Sequence, residues 1–133
     1  MNRSTCILIG ALLAGTGVAL GALGAHGLED SFAKPESPAW WETGVRYQVW
    51  HALALLALAG FATRPGRVVP LLLVVGTLGF SGSLYALALG ASGSLWGPVT
   101  PIGGSLLLIG WLTLVARAVR GEFRAAPRVG EPS

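Results

Sequence analysis

The sequence predicts an all-α membrane protein, a four transmembrane helix bundle with both termini in the cytoplasm (N-in/C-in). Three observations predict it: the composition, four apolar segments of membrane-spanning length, and arginines that collect on one side of those segments. Of the 133 residues, 53% are hydrophobic and only 11% are charged, and the mean hydropathy is +0.65. Such a chain has too little polar surface to enclose a soluble core. It therefore reads as a single membrane domain, 1–133.

Four apolar segments follow one another, each close to the roughly 20 residues that a helix needs to cross the hydrocarbon layer. The predicted helices are 5–27, 38–62, 68–89 and 101–119, followed by a flexible cytoplasmic tail at 120–133. The first segment resembles a signal peptide, because Arg3 precedes an apolar core. Its apolar run is longer than a usual signal core, so we interpret it as a retained helix.

Residues at the segment ends carry start and stop signals. Gly27 is predicted to end the first helix in the left-handed conformation, and 64–67, with the sequence RPGR, is predicted to form a tight turn. Ser37 and Thr100 each precede a proline, which predicts two hydroxyl N-caps.

The basic residues predict the orientation. With four crossings, one side holds only Lys34 and Arg46. The other side holds Arg3, Arg64, Arg67, Arg117, Arg120, Arg124 and Arg128. Because basic residues collect on the cytoplasmic side, we expect a multi-pass protein of the cell (inner) membrane with both termini cytoplasmic. The lipid bilayer is its expected partner, and arginines spaced along a membrane anchor make nucleic acid a poor alternative.

Small residues recur every three or four positions on the first and third helices. The predicted packing faces are Gly10, Ala14, Gly17, Gly21 and Gly24 on the first helix, and Gly76, Gly79, Ser83, Ala86 and Gly90 on the third. Helices in lipid gain little from burying apolar surface against each other, so close approach along small faces supplies dispersion contacts instead. The same spacing serves contacts within one chain or between chains, so a homo-oligomer is an open alternative.

Polar side chains should collect in the outer half of the bundle. His51 lies about 15 Å below Trp41 at a rise of 1.5 Å per residue, near the midplane, and Gly44, Tyr47 and Gln48 share its helix face. The candidate polar vestibule consists of His26, Tyr47, Gln48, His51, Ser81, Ser83, Tyr85 and Thr100. Arg46 is expected to reach the outer interface and to pair with Glu42 four residues earlier.

Each of these residues also has a purely structural interpretation. A neutral His51 bonded to a serine or a carbonyl would hold helix register, whereas ionisable groups at this depth are enriched at functional sites. His26 in a last helical turn suits the helix dipole without any further role.

Known catalytic and metal-binding patterns are missing from the sequence. There is no HExxH, Walker loop or GxSxG, and Cys6 is the only cysteine. A triad from Ser81, His51 and Glu29, or a metal site from the two histidines with Glu29 and Asp30, has suitable residue types but no diagnostic spacing. We therefore expect no enzyme, no catalytic residues, no metal and no cofactor.

Four sequence blocks carry a resemblance. They are GALGAHGL, TGVRYQVWHALALLAL, FSGSLYALAL and TPIGGSLLLIGW, which lie in order between Gly21 and Trp111. They resemble the motif blocks of uncharacterised protein family 0382, small inner-membrane proteins related to the eukaryotic transmembrane protein 256 family. The resemblance implies a four-helix membrane protein and carries over no reaction, substrate or cofactor. Its motif polar residues coincide with the candidate vestibule.

Two functions of different classes fit these observations. The first is a compact structural or assembly component of the membrane, which contacts a copy of itself or a larger membrane-protein partner. The alternative is a small permease or ligand-binding membrane protein with an outward-facing polar vestibule around His51. An apolar inner half and a narrow bundle count against a continuous path.

Overall fold

The computed structural model describes residues 1–61 and 66–123, and this part of the chain is helical without strands. The four long helices are α1 (Arg3–His26), α2 (Ser37–Phe61), α3 (Val68–Ala88) and α5 (Val99–Val119). A short helix, α4 (Gly93–Trp96), and a 3-10 turn at Glu29–Ser31 lie in the connections. The predicted all-α class is confirmed for the described residues.

Several predicted helix ends differ from the structure. Gly27 follows α1 with φ −129°, so the left-handed residue predicted there was wrong, although its N–H does bond to the carbonyl of Leu23. Helix α5 begins at Val99, which makes the N-cap predicted at Thr100 wrong and leaves its hydroxyl available to a neighbouring helix. Ser37 is itself the first residue of α2, and its Oγ accepts the N–H of Lys34 at 3.2 Å.

Two further predictions fall on residues that are only partly covered. Of the turn predicted at 64–67, residues 66 and 67 are described, and Gly66 has a φ of 76°, which is the left-handed conformation that glycine adopts easily. Of the tail predicted at 120–133, residues 120–123 continue α5 into a turn, and 124–133 lie outside the described residues.

By length and hydropathy, three stretches in the described residues could each cross a membrane. They are Arg3–His26, Val68–Ala88 and Gly93–Val119. Helix α2 has 25 residues but is not among them, and it carries Glu42, Arg46, Gln48 and His51. The structure therefore contains three candidate spans and one further long helix.

The long helices pack in chain order, α1 against α2, α2 against α3, and α3 against α5. The apolar core lies toward the end of the bundle at which α2 ends and α3 begins. Its buried members are Leu55, Leu58, Val69, Leu73 and Leu107. At that end the ammonium of Met1 donates to the carbonyl of Gly66 at 2.5 Å, so the N-terminus lies beside the start of α3.

Candidate functional site

Gln48 lies at the centre of the polar residues and joins three helices. It is buried on α2, where its Nε2 donates to the carbonyl of Leu13 and to Oγ1 of Thr16, both at 2.9 Å, on α1. On the other side, the hydroxyl of Tyr85 on α3 donates to Oε1 of Gln48 at 3.0 Å. Both donor hydrogens and the acceptor of this amide therefore have partners inside the protein.

His51 connects α2 to α5. The side chain is only 6% exposed, and its Nδ1 lies 2.7 Å from the carbonyl of Tyr47. Nε2 lies 3.2 Å from the indole Nε1 of Trp111, which can only donate. A carbonyl can only accept, so the two contacts together require a neutral imidazole with its proton on Nδ1 and Nε2 as the acceptor. Both ring nitrogens are thus occupied by groups of the protein.

Two further hydrogen bonds tie neighbouring helices together. Oγ of Ser83 on α3 lies 2.7 Å from Oγ1 of Thr100 on α5, and it also donates to the carbonyl of Phe80. Trp41 on α2 is buried, and its Nε1 donates to the carbonyl of Leu20 on α1 at 2.9 Å. Every pair of helices adjacent in the packing order therefore shares at least one side-chain hydrogen bond.

The predicted vestibule residues do not form one group. An α-helix turns 100° per residue, so Ser83 and Tyr85 point to nearly opposite sides of α3. Ser83 meets α5 and Tyr85 meets α2. His26 is exposed at the end of α1 and takes part in none of these hydrogen bonds. Tyr47 contributes its carbonyl to His51 and its ring to Phe80, with the two ring centroids 4.4 Å apart.

Ser81 is the one buried polar side chain for which the described residues provide no hydrogen-bond partner. It is 1% exposed, and its Oγ is buried without an acceptor or a donor. It lies one turn before Tyr85 on the same side of α3, which is the side that meets α2. Thr77, one turn earlier, satisfies its own hydroxyl by donating to the carbonyl of Leu73 at 2.6 Å. Within the described residues, Ser81 is therefore the point in this polar region where a buried hydroxyl has no hydrogen-bond partner.

Two of the clefts in the described part of the chain have contrasting linings. One of about 590 Å³ is found between the end of α1 and the start of α2, with Glu29, Phe32 and Lys34 in its lining. Another of about 260 Å³ is almost entirely apolar and lies between α2 and α5, lined by Phe61 and Trp111 among others. In residues 1–61 and 66–123, His, Cys, Asp and Glu side chains do not gather in threes as a metal site needs.

The small-residue face of α1 lies against α2. A methyl group added to Gly17 would approach Val49 to 2.8 Å, and one on Gly10 would approach Leu56 to 3.0 Å. The indole of Trp41 packs directly against the backbone of Gly24, and Gly21 lies opposite Val45. Ala14 is half-buried on the same helix.

The corresponding face of α3 is divided. Gly76 packs against Leu107 of α5, and Gly79 packs against Gly103 of the same helix. Ser83 also faces α5, where it bonds to Thr100. Ala86 is only half-buried. Gly90 lies beyond the end of α3 with a φ of 89°, so its place in a helical packing face was wrong.

Sequence reasoning missed several partners of these residues. The predicted vestibule did not include Thr16, Trp41 or Trp111. Thr16 accepts a hydrogen bond from Gln48, and Trp111 donates one to His51. Trp41 donates to the carbonyl of Leu20. Gly103 and Gly110 were also missed, and their spacing from Leu107 at three or four residues is the signal that could have found them.

Comparison with known proteins identifies the family. A family described as "Protein of unknown function (DUF423)" matches residues 20–104. The chain is 46% identical over 101 residues to a UPF0382 membrane protein of Haemophilus influenzae, which covers 73% of this chain and 79% of that relative. The chain belongs to the UPF0382 family of membrane proteins. This confirms the resemblance carried by the four sequence blocks, and it confirms a membrane protein.

Other UPF0382 relatives cover the chain to a similar extent. The Staphylococcus epidermidis protein is 42% identical over 117 residues, which is 86% of this chain and 94% of that protein. The Escherichia coli (strain K12) protein, named as the inner membrane protein YgdD, is 43% identical over 107 residues, or 77% and 80%. No solved structure matches the chain.

Proposed function

We propose that this UPF0382 protein is a compact structural or assembly component of the cell inner membrane. The proposal rests on the hydrogen-bond partners of the buried polar side chains on α2. Gln48 bonds to α1 and α3, and His51 bonds to α5, so the partners all belong to the protein itself. Polar side chains bonded across helices in lipid hold helix register and need no solute to satisfy them. The proposal includes no chemical reaction.

The proposed topology is four crossings with both termini cytoplasmic. Helix α2 is long enough at 25 residues, and its charged pair lies in its first half, where Arg46 bonds to Glu42 at 2.5 Å. This ion pair confirms the expected partner of Arg46. The end of the bundle near Met1 also holds Arg117, because a methyl group on Gly66 would lie 3.2 Å from its Nη1. Basic residues at one end support the cytoplasmic side there.

The proposed partners are a second copy of the chain or a larger membrane protein. The outermost helices of the packing order, α1 and α5, expose large apolar side chains such as Val18 at 69% and Leu112 at 59%. In a bilayer such faces contact either lipid or another helix, and contact with lipid alone is enough to keep their apolar side chains out of water. A nucleic-acid partner is not proposed.

A small permease or ligand-binding protein is the second candidate. Its supporting observation is the buried, unpartnered Oγ of Ser81 near the level of Gln48. A water or a polar solute beside that hydroxyl would satisfy it, and transport sites favour polar linings near the midplane.

The two histidines allow one experiment to separate the candidates. His26 is exposed and His51 is 6% exposed, so a water-soluble histidine reagent should modify His26 in the folded, membrane-reconstituted protein and leave His51 unmodified. Mass spectrometry of the proteolysed chain reads both sites in one sample, with detergent-denatured protein as the control in which both react. Modification of His51 as fast as His26 in the folded protein would establish a wet vestibule and remove the structural proposal.

A further inference from the structure

We propose that the cleft between α2 and α5 is a binding site for one anionic phospholipid, from the leaflet at the arginine-bearing end of the bundle. The acyl chain would lie in the apolar cleft, and the phosphate would contact the basic groups at the Phe123 end. The site does not depend on the structural or permease role proposed above.

The cleft has the shape and the chemistry for a hydrocarbon chain. Helices α2 and α5 are not neighbours in the packing order, and the cleft lies between them. Ala54, Ala57 and Phe61 form the wall on α2, and Leu114 and Ala118 form the wall on α5. The volume is about 260 Å³, and the lining is almost entirely apolar. Such a lining offers few hydrogen-bonding groups to a polar solute.

One end of the cleft lies at Trp111, toward the middle of the bundle, where the indole is held by its hydrogen bond to His51. From Trp111 to Ala118 the cleft follows α5 for about 10 Å at the usual helical rise. It ends at Phe123, just past the last turn of α5, which is the level expected for a lipid headgroup.

Two cationic groups lie near the Phe123 end of the cleft. The guanidinium of Arg117 lies 5.2 Å from the centroid of the Phe123 ring, and its Nε bonds to Glu122 at 2.6 Å. The Met1 ammonium is bonded to the carbonyl of Gly66, and a methyl group on Gly66 would lie 3.2 Å from Nη1 of Arg117. Within the described residues, Glu122 is paired with Arg117, and the Met1 ammonium adds a second positive charge at this end of the cleft. Basic pockets between helices next to apolar grooves suit anionic lipid headgroups.

The test compares lipids with identical acyl chains and different headgroups. The purified full chain is titrated with phosphatidylglycerol or phosphatidylcholine in detergent, and bound lipid is measured by native mass spectrometry. We expect tighter binding of phosphatidylglycerol, and Arg117→Gln should reduce that preference roughly fivefold, the effect expected from one arginine near a membrane surface. The matched control is Arg3→Gln, which removes an exposed arginine at the same end of the bundle but away from the cleft.

A second pair of variants tests the cleft itself. Ala57 is exposed in the cleft wall, so Ala57→Trp should fill it and abolish binding of both lipids. Ala11→Trp, an exposed alanine on α1, is the control that should leave binding unchanged. If Ala57→Trp fails to fold, as judged by circular dichroism, Phe123→Ala opens the cleft without added bulk and should weaken lipid retention.

Three outcomes would overturn the proposal. Equal binding of both headgroups would mean that the cleft selects no charge. Equal loss of preference with Arg3→Gln and Arg117→Gln would mean a diffuse electrostatic effect. A dimer in detergent that Ala57→Trp dissociates would mean that a second copy occupies the cleft.

Discussion

Tyr85 on α3 donates its hydroxyl hydrogen to Oε1 of Gln48 on α2 at 3.0 Å, and through this contact α3 is linked to α1. The link is completed by Nε2 of the same amide, which donates to Leu13 and Thr16. In the hydrocarbon layer there is no bulk water to replace a lost partner, so an amide that is satisfied on both ends favours one arrangement of the three helices.

Removing the Tyr85 hydroxyl should lower stability by a modest amount. Tyr85→Phe keeps the ring against Trp41, whose centroid is 4.7 Å away, and deletes only the bond to Gln48. We expect a loss of about 0.6 kcal/mol, and at most about 1.7, in the free energy of unfolding measured in detergent. Tyr47→Phe is the control, because Tyr47 contributes its ring and its carbonyl. A larger loss from Tyr47→Phe would contradict this assignment.

Two serines two residues apart on α3 should respond oppositely to alanine. Ser83→Ala removes the bond to Thr100 and should cost about 0.6 kcal/mol. Ser81→Ala deletes a buried hydroxyl that has no partner in the described residues, so stability should stay constant or rise. Thermal unfolding of both variants in one detergent makes the comparison. A clear loss with Ser81→Ala would mean that a water or solute satisfies this hydroxyl, which favours the permease.

The close approach of α3 and α5 should tolerate no methyl group at Gly103. The Cβ of an alanine there would run into the backbone of Phe80, which cannot move aside as a flexible side chain could. Gly103→Ala should therefore lower stability by about 1–3 kcal/mol through overpacking. Gly82→Ala is the matched control on α3, since nothing lies within 4 Å of its added Cβ. Equal effects of the two substitutions would show that helix propensity, rather than packing, sets the result.

The proposed topology predicts opposite labelling of two loops. In a Cys6→Ala background, Lys34→Cys should react with an impermeant thiol reagent added outside intact cells, because residue 34 lies between α1 and α2. Arg67→Cys, just before α3, should react only after the membrane is opened. External labelling at position 67 would reverse the orientation. Labelling at both positions from outside would contradict the four crossings.

The sequence predicted that polar residues from neighbouring helices lie at similar levels along the bundle, but it did not predict how they group. Spacing along α2 was enough to place Gln48 and His51 in the same region as Ser83 and Thr100. The direction in which each side chain points around its helix depends on where the neighbouring helices lie. For that reason His51 was expected beside serines or a solvent-filled vestibule, whereas its Nε2 accepts from Trp111 of α5. His26 was included by depth alone and lies exposed.

The amino-acid sequence was sufficient for the helical membrane class, the family and the small-residue face of α1, because hydropathy, motif blocks and three- or four-residue spacing are local properties. The tertiary structure was needed to decide which side of α3 meets α5, that Gly90 leaves the helix for a turn, and that Gln48 binds three helices together. These depend on the relative rotation and register of separate helices. That arrangement is set by the whole bundle and is not encoded in the spacing within any one helix.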